Sequence, residues 1–429
     1  MTDARVPGDK SISHRFLILA ALAEGDSRLS GVPASLDVAS TISCLRALGV
    51  TVDEREAGVI RVARESDWRP PLTPLDCGNS GTTARLLIGL LAGLGVGAEL
   101  GGDESLMSRP MDRVVYPLQA MGARINYADR LDRLPVRLEG RASGDLRALR
   151  YRPRVSSAQV RGALLLAALT GRQDVEILDR LRPRDHTERI LRSMGAPVVS
   201  EAIGSGERVH FPGASWSGGL APLDATVPGD ISSAAFMVAA ALLTGTELAV
   251  RSVGLNPTRT AFLRVVQEMG VKTEVRESGF EAGEPVGDLM VSPSQLTAFV
   301  LDGDLVPQLI DEIPVLAVLA SRAEGISEIR GAGELRVKES DRLALLSANF
   351  RALGVRCEEL PDGLLVHGSS VPLRGVVRTG GDHRIAMAFG ALGAAPGCEI
   401  EVDDRDCVNV SFPGFWDTIG QFVAVEEAP

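Results

Sequence analysis

Lys10, Ser11 and Arg15 bring two cations and a hydroxyl together in Pro7-Gly8-Asp9-Lys10-Ser11-Ile12-Ser13-His14-Arg15, directly ahead of the apolar run Phe16–Leu22. Helix starts leave backbone N–H groups unpaired and carry partial positive charge, so this layout suits a phosphate or carboxylate. Asn79, Ser80, Gly81, Thr82 and Arg85 repeat it before Leu86–Leu94, with a glycine where a ligand could approach the backbone closely. A capped core helix with a charged first turn is the plainer reading of either run taken alone. Arg109 precedes Pro110, which forces it out of a helix and into a loop. Ser156, Ser157 and Gln159 are neutral donors ahead of Ala163–Leu169, and Arg184 opens Arg184-Asp185-His186-Thr187-Glu188. Asp185 with Glu188 three residues later predicts a capping box.

Two later segments supply carboxylates. Leu309-Ile310-Asp311-Glu312-Ile313-Pro314 sets two acids among apolar residues, where burial would raise their pKa toward that of a general base. Capping of the next helix by Asp311 stands as the open alternative. Lys338, Glu339, Asp341 and Arg342 alternate in sign, a pattern that on an exposed helix means solubility alone. Asp382-His383-Arg384 precedes the last apolar run. Of 45 basic residues only Lys10, Lys272 and Lys338 are lysine, and two of these fall in the clusters. A compact, titratable ammonium is what lysine offers over arginine.

Several chemistries are excluded. Neither early cluster is a P-loop, and Gly93-Leu94-Gly95-Val96-Gly97 follows a helix rather than a strand, which argues against a dinucleotide site. The five histidines are dispersed and the five cysteines form no C-x-x-C, so no metal or cofactor is expected and the thiols read as reduced, in a cytoplasm. A net charge of −11 disfavours nucleic acid or an acidic membrane surface as partner. No apolar run reaches the ~20 residues of a membrane helix, and Asp3 and Asp9 spoil a signal peptide.

The clusters recur. A polar nose followed by a small-residue apolar helix starts near residues 8, 78, 155, 228, 303 and 380, at intervals of 70 to 77 residues. Each of five copies also carries a later helix ending in glycine, at Gly49, Gly122, Gly195, Gly270 and Gly354, followed by a strand-like run. The sixth, Asp417-Thr418-Ile419-Gly420, is worn down. Such periodicity marks a repeat architecture of helix, strand, helix, strands. Six units predict two α/β domains of three units each. Helices apolar nearly all round should be buried, with their noses directed at a shared interdomain cleft.

Together the motifs PGDKSISHR from Pro7, GNSGTTAR from Gly78, GDESLMSRPM from Gly102, SAQV from Ser157, RDHTE from Arg184, NPTRT from Asn256, VKESDRL from Val337 and DHRIAM from Asp382 resemble the 5-enolpyruvylshikimate-3-phosphate synthase family, in its order and across nearly the whole chain. The resemblance implies an α/β fold of two domains, each of three βαβαββ repeat units with buried helices, the inside-out α/β barrel of enolpyruvyl transferases. It implies an N-terminal domain over 8–225 and a C-terminal domain over 226–429 plus 1–7. The implied reaction moves the enolpyruvyl group of phosphoenolpyruvate to the 5-hydroxyl of shikimate 3-phosphate, on the route to chorismate, without cofactor or metal. Two anions must then sit side by side; like unit charges ~4 Å apart repel by about 4 kcal/mol at an effective dielectric near 20, which fixed cations must offset.

By the same resemblance Lys10, Ser11, Arg15, Ser157, Gln159, Arg184, Asp311 and Lys338 hold shikimate 3-phosphate. Lys10, Asn79, Gly81, Arg109, Gln159, Arg342 and Arg384 hold phosphoenolpyruvate, and Asp311, Glu339 and Lys10 are catalytic. Asp311 takes the proton of the 5-hydroxyl; Glu339 delivers and recovers the proton at the methylene carbon. A cytoplasmic monomer, open without ligand and closing on it, is expected, as is inhibition by glyphosate, since Gly81 leaves space that an alanine would fill. One branch of the family carries a lysine just before the C-terminal Phe-Pro; Asn409-Val410-Ser411-Phe412-Pro413 has none, which leaves the group assisting phosphate departure open. Only six residues precede Pro7, fewer than the family's first strand often has. The sister enzyme acting on UDP-N-acetylglucosamine is the rival: its N-terminal motif reads Lys-Asn-Ala, and it usually has a loop cysteine, whereas no cysteine lies between Cys77 and Cys357 here. An RNA 3′-phosphate cyclase would want a basic face and a nucleotide site. A catalytically dead anion binder would not need both Asp311 and Glu339.

Overall fold

The structure, a computed structural model, describes residues 2–63, 67–140 and 145–422. Its contacts divide the chain into two compact units. One comprises Gly8–Val227 with Phe280–Glu284; the other comprises the residues up to Pro7, Pro228–Gly279 and the chain from Pro285 onward.

A single sheet plan recurs five times. In each four-stranded sheet the first strand lies parallel to the second, the fourth pairs antiparallel with the second, and the third forms the far edge. Leu75–Asp76, Ala98–Gly101, Ile125–Tyr127 and Val136–Leu138 make one such sheet, with the helix Gly81–Leu94 as the crossover between the parallel pair. Parallel strands need such a crossover, which is why every copy opens on a helix. Among the described residues the sixth copy keeps only the parallel pair Arg374–Val377 and Glu399–Val402.

Two parallel edge strands come from far along the chain. Thr2–Ala4 pairs with Leu248–Val250, while Asp224–Thr226 pairs with Arg28–Ser30. Each therefore lies beside the strand that the other would serve if the copies were built from consecutive residues.

The crossover helices are the core. In Ile231–Thr244 every residue through Leu242 is buried, and in Gly81–Leu94 every residue through Gly93 except Thr82. Helices without a polar face have no stable place at a surface. Gly81–Leu94 and Ala158–Gly171 approach backbone to backbone: a Cβ on Gly89 would lie 2.2 Å from the Ala163 carbonyl oxygen. The glycines closing the later helices, from Gly49 to Gly354, take φ between 80° and 101°, the left-handed cap that their spacing predicts. Among the described residues no helix is long and apolar enough to cross a membrane.

Side chains cap five of the six crossover helices: Asp9 accepts from the Ile12 N–H, Ser80 from Thr83, Ser157 from Val160, Asp230 from Ser232 and Asp382 from Arg384. Ile313–Ala320 differs, having Glu312 at its N-cap position and no side-chain cap. Asp311, one residue earlier in the turn, does not cap it.

Candidate active site

In the Gly8–Val227 unit the expected anion-binding residues stand on helix starts. Lys10 is the first residue of Lys10–Ala20, and its Nζ donates to Asp37 Oδ2 at 2.7 Å. One turn on, Arg15 is only 4% exposed, donating through Nε to Thr187 Oγ1 at 2.8 Å and through Nη1 to the Ser11 carbonyl at 2.8 Å. Burial pulls the Arg15 guanidinium down to about 10, against the opposing pull of Glu188 and Asp9, so it stays a cation at neutral pH. Arg184 lies near enough to add to that lowering.

A second group surrounds Gly81. Arg109 donates to Asn79 Oδ1 at 2.5 Å and to Ser105 Oγ at 3.1 Å, while Asn79 donates to Asp103 at 2.7 Å. Arg85 donates to Gln159 Oε1 at 2.7 Å and to the Pro110 carbonyl at 3.0 Å; Gln159 in turn donates to Thr82 Oγ1 at 2.9 Å. These bonds tie Asn79, Arg109 and the start of Gly81–Leu94 to Gln159 on the neighbouring helix. Ser157, the cap of that helix, accepts from Val160 N at 3.5 Å.

The other unit collects the carboxylates. Arg342, with no exposed surface, donates to Glu339 Oε2 at 2.7 Å and to Asp382 Oδ2 at 2.8 Å, and its Nη1 lies 3.6 Å from Asp311 Oδ1. Burial alone would lower this guanidinium; Asp382, Glu339 and Asp311 outweigh it and hold it above the usual arginine range. Arg384 reaches Asp311 twice, Nε at 3.5 Å from Oδ1 and Nη1 donating to the main-chain carbonyl at 3.3 Å. Lys338 is half-buried, and desolvation lowers its ammonium, with Asp311, Glu334 and Glu339 opposing. A basic side chain with a reduced proton affinity thus adjoins the two acids.

The partners of these cations are not legible in the sequence. Asp37 and Thr187 hold Lys10 and Arg15, yet nothing in their spacing predicts it, because both contacts are long-range. The predicted capping box at Asp185 does not form. Asp185 instead binds Arg189 Nε at 2.8 Å, and Glu188 binds the buried Arg161 at 2.8 Å. Charged donors win over neutral backbone N–H groups for a buried carboxylate.

Known proteins resemble the chain along almost its whole length. The model of the EPSP synthase (3-phosphoshikimate 1-carboxyvinyltransferase) family matches residues 2–419. A 3-phosphoshikimate 1-carboxyvinyltransferase of Salinibacter ruber is 45% identical over 421 residues, covering 97% of this chain and 95% of that protein. One from Thermus thermophilus is 47% identical over 415 residues, covering 96% and 94%. The solved structure of EPSP synthase from Acinetobacter baumannii superposes with a TM-score of 0.84 at 33% identity, covering 98% of this chain and 95% of that one.

Proposed function

The chain belongs to the EPSP synthase family, and on that premise we propose that it transfers the enolpyruvyl group of phosphoenolpyruvate to the 5-hydroxyl of shikimate 3-phosphate, releasing phosphate. The observation that carries this reading is the Arg342 guanidinium, which joins Glu339 at 2.7 Å and approaches Asp311 to 3.6 Å. Addition followed by elimination at one carbon needs a base for the hydroxyl and a separate acid for the methylene, and two acids held by one cation supply both.

Asp311 accepts the proton of the 5-hydroxyl as its oxygen bonds to C2 of phosphoenolpyruvate, while Glu339 protonates C3 to a methyl. Glu339, now a carboxylate, takes a proton back from that methyl as the C2–O bond to phosphate breaks, and the hydroxyl proton held by Asp311 leaves with the departing phosphate, which regenerates the base. Lys10, Ser11, Arg15, Ser157, Gln159, Arg184 and Lys338 are assigned with Asp311 to shikimate 3-phosphate. Lys10, Asn79, Gly81, Arg109, Gln159, Arg342 and Arg384 are assigned to phosphoenolpyruvate, arginine forks matching both its phosphate and its carboxylate. Lys10 belongs to both assignments and is also assigned a catalytic role. Five free cysteines support a reducing compartment such as the cytoplasm.

Phosphate release tests the reading. With phosphoenolpyruvate present, shikimate 3-phosphate should trigger it and UDP-N-acetylglucosamine should not; the reverse result overturns the proposal. Asp311→Ala should still bind shikimate 3-phosphate, with turnover reduced by about 10²–10⁴-fold, as read by calorimetry beside the phosphate assay.

A further inference from the structure

The motif Asn256-Pro257-Thr258-Arg259-Thr260 takes no part in the mechanism above, yet its arginine is buried beside the residue that follows the base. Asn256 is 2% exposed and folds the motif into a turn: its Oδ1 accepts from Thr258 N at 2.9 Å and Thr258 Oγ1 at 2.8 Å, and its carbonyl accepts from Arg259 N at 2.8 Å. That turn sends Arg259, itself 2% exposed, to the start of the helix Ile231–Thr244. There Nη2 donates to Ser232 Oγ at 2.6 Å and to Asp230 Oδ1 at 3.1 Å, the same oxygen that caps the helix. Ser232 passes the connection on, its hydroxyl donating to Glu312 Oε1, and Arg259 Nη2 stands 3.8 Å from that carboxylate.

Glu312 has no exposed surface and immediately follows Asp311. The two residues belong to a short turn between helices Val306–Leu309 and Ile313–Ala320. Within the turn the backbone is held by the Glu312 N–H on the Leu309 carbonyl at 2.8 Å. Asp311 is thus gripped at its own carboxylate and carbonyl by Arg384, and one residue on by Glu312 through Ser232 and Arg259. A base must be placed to a fraction of an ångström to meet its proton.

We propose that Arg259, acting through Ser232 and Glu312, is a positioning residue for Asp311, so that the Asn256–Thr260 motif sets the rate of proton transfer from the acceptor hydroxyl. The inference rests on the enolpyruvyl-transfer reading. Without the guanidinium, Asp230 and Glu312 lose a shared buried cation, an arrangement that a low-dielectric interior does not tolerate, and the turn relaxes away from its working geometry.

The test measures kcat and the KM for shikimate 3-phosphate in Arg259→Met, Arg259→Lys, Ser232→Ala and Glu312→Gln, with folding checked by circular dichroism. Arg259→Met should lose about 100-fold in kcat, the scale of a displacement near 1 Å, with KM nearly unchanged. Arg259→Lys should recover about tenfold of it, since the charge returns without the planar fork. Added to Asp311→Asn, Arg259→Met should cost nothing further, a coupling that general destabilisation does not produce. Wild-type kcat in a folded Arg259→Met, or losses that multiply with Asp311→Asn, would overturn the inference. Should Arg259→Met fail to fold, Ser232→Ala and Glu312→Gln decide: lowered kcat at constant KM supports the inference, and wild-type values in both overturn it. A wild-type protein inactive on this substrate pair sinks the functional reading and the inference together, whereas active wild type with unaffected variants sinks the inference alone.

Discussion

Gly81, proposed above to adjoin phosphoenolpyruvate, has little room for a side chain. A Cβ there would fall 2.7 Å from Arg85 Nη1 and 3.6 Å from Arg109 Nη1. Arg85 is anchored by Gln159 and the Pro110 carbonyl, so it yields only by giving up those bonds. Gly81→Ala should raise the KM for phosphoenolpyruvate and weaken glyphosate inhibition, both by about tenfold or more, the cost of roughly one lost or bent charge-assisted hydrogen bond. Steady-state rates with and without glyphosate check it, and an unchanged inhibition constant refutes it. His14, on the same helix as Arg15, is fully buried with Nδ1 at 2.7 Å from Thr41 Oγ1. Burial, then the charges of Lys10 and Arg15, holds its imidazole well below 6.5. The folded protein therefore binds fewer protons than the unfolded chain as pH falls from 6.5 toward that lowered value, and stability falls with it. Stability should therefore fall as the pH drops below 6.5, and His14→Gln should flatten that part of a urea-denaturation series.

The crossover helices depend on missing side chains as much as on present ones. Gly89 and Gly93 face Ala163 and Ala167, and a Cβ on Gly93 would meet the Ala167 carbonyl oxygen at 2.6 Å. Gly89→Val should destabilise by about 3 kcal/mol or more through overpacking, seen as a lower urea midpoint. Because this helix carries Gly81 and Arg85, the variant should also lose affinity for phosphoenolpyruvate. These helices are also where the sequence is most readable. A cap residue, a small-residue apolar run and a closing glycine are local signals, and Asp9, Ser80, Ser157, Asp230 and Asp382 all cap the helices they precede. Pairings such as Lys10 with Asp37 were not readable, since the two residues share no element and their meeting depends on how two helices pack. The Asp185–Glu188 prediction failed for a related reason: a local rule cannot weigh Arg161, a competitor from another helix. Whether the helix after Asp311 begins one residue earlier or later is likewise not legible in the sequence, since Pro314 is compatible with either start; the structure puts Glu312 at the N-cap position.

At the level of the molecule, an acidic chain keeps its cations compensated. Arg342 stands among Glu339, Asp382 and Asp311, and Lys10 on Asp37, so both of these cations are compensated within the protein. Net charge alone could not reveal that, because it sums over pairs that only folding brings together. The exchanged edge strands invite a different test. Deleting residues 1–5 removes Thr2–Ala4 from its sheet, with the buried Ala4 and the bond from Thr2 N to the Glu247 carbonyl. Calorimetry should show Tm lowered by about 5 °C, the effect of one or two kcal/mol in a unit of this size. The same exchange constrains the order of events on a ribosome. Thr2–Ala4 is made some 240 residues before its partner Leu248–Gly254, a wait on the order of ten to fifty seconds at ordinary translation speeds. Ser27–Ser30 waits nearly as long for Asp224–Thr226. Nascent chains must therefore carry two unfilled β-edges across those intervals, which makes this stage, rather than the finished protein, the point at which chaperones have the most to protect.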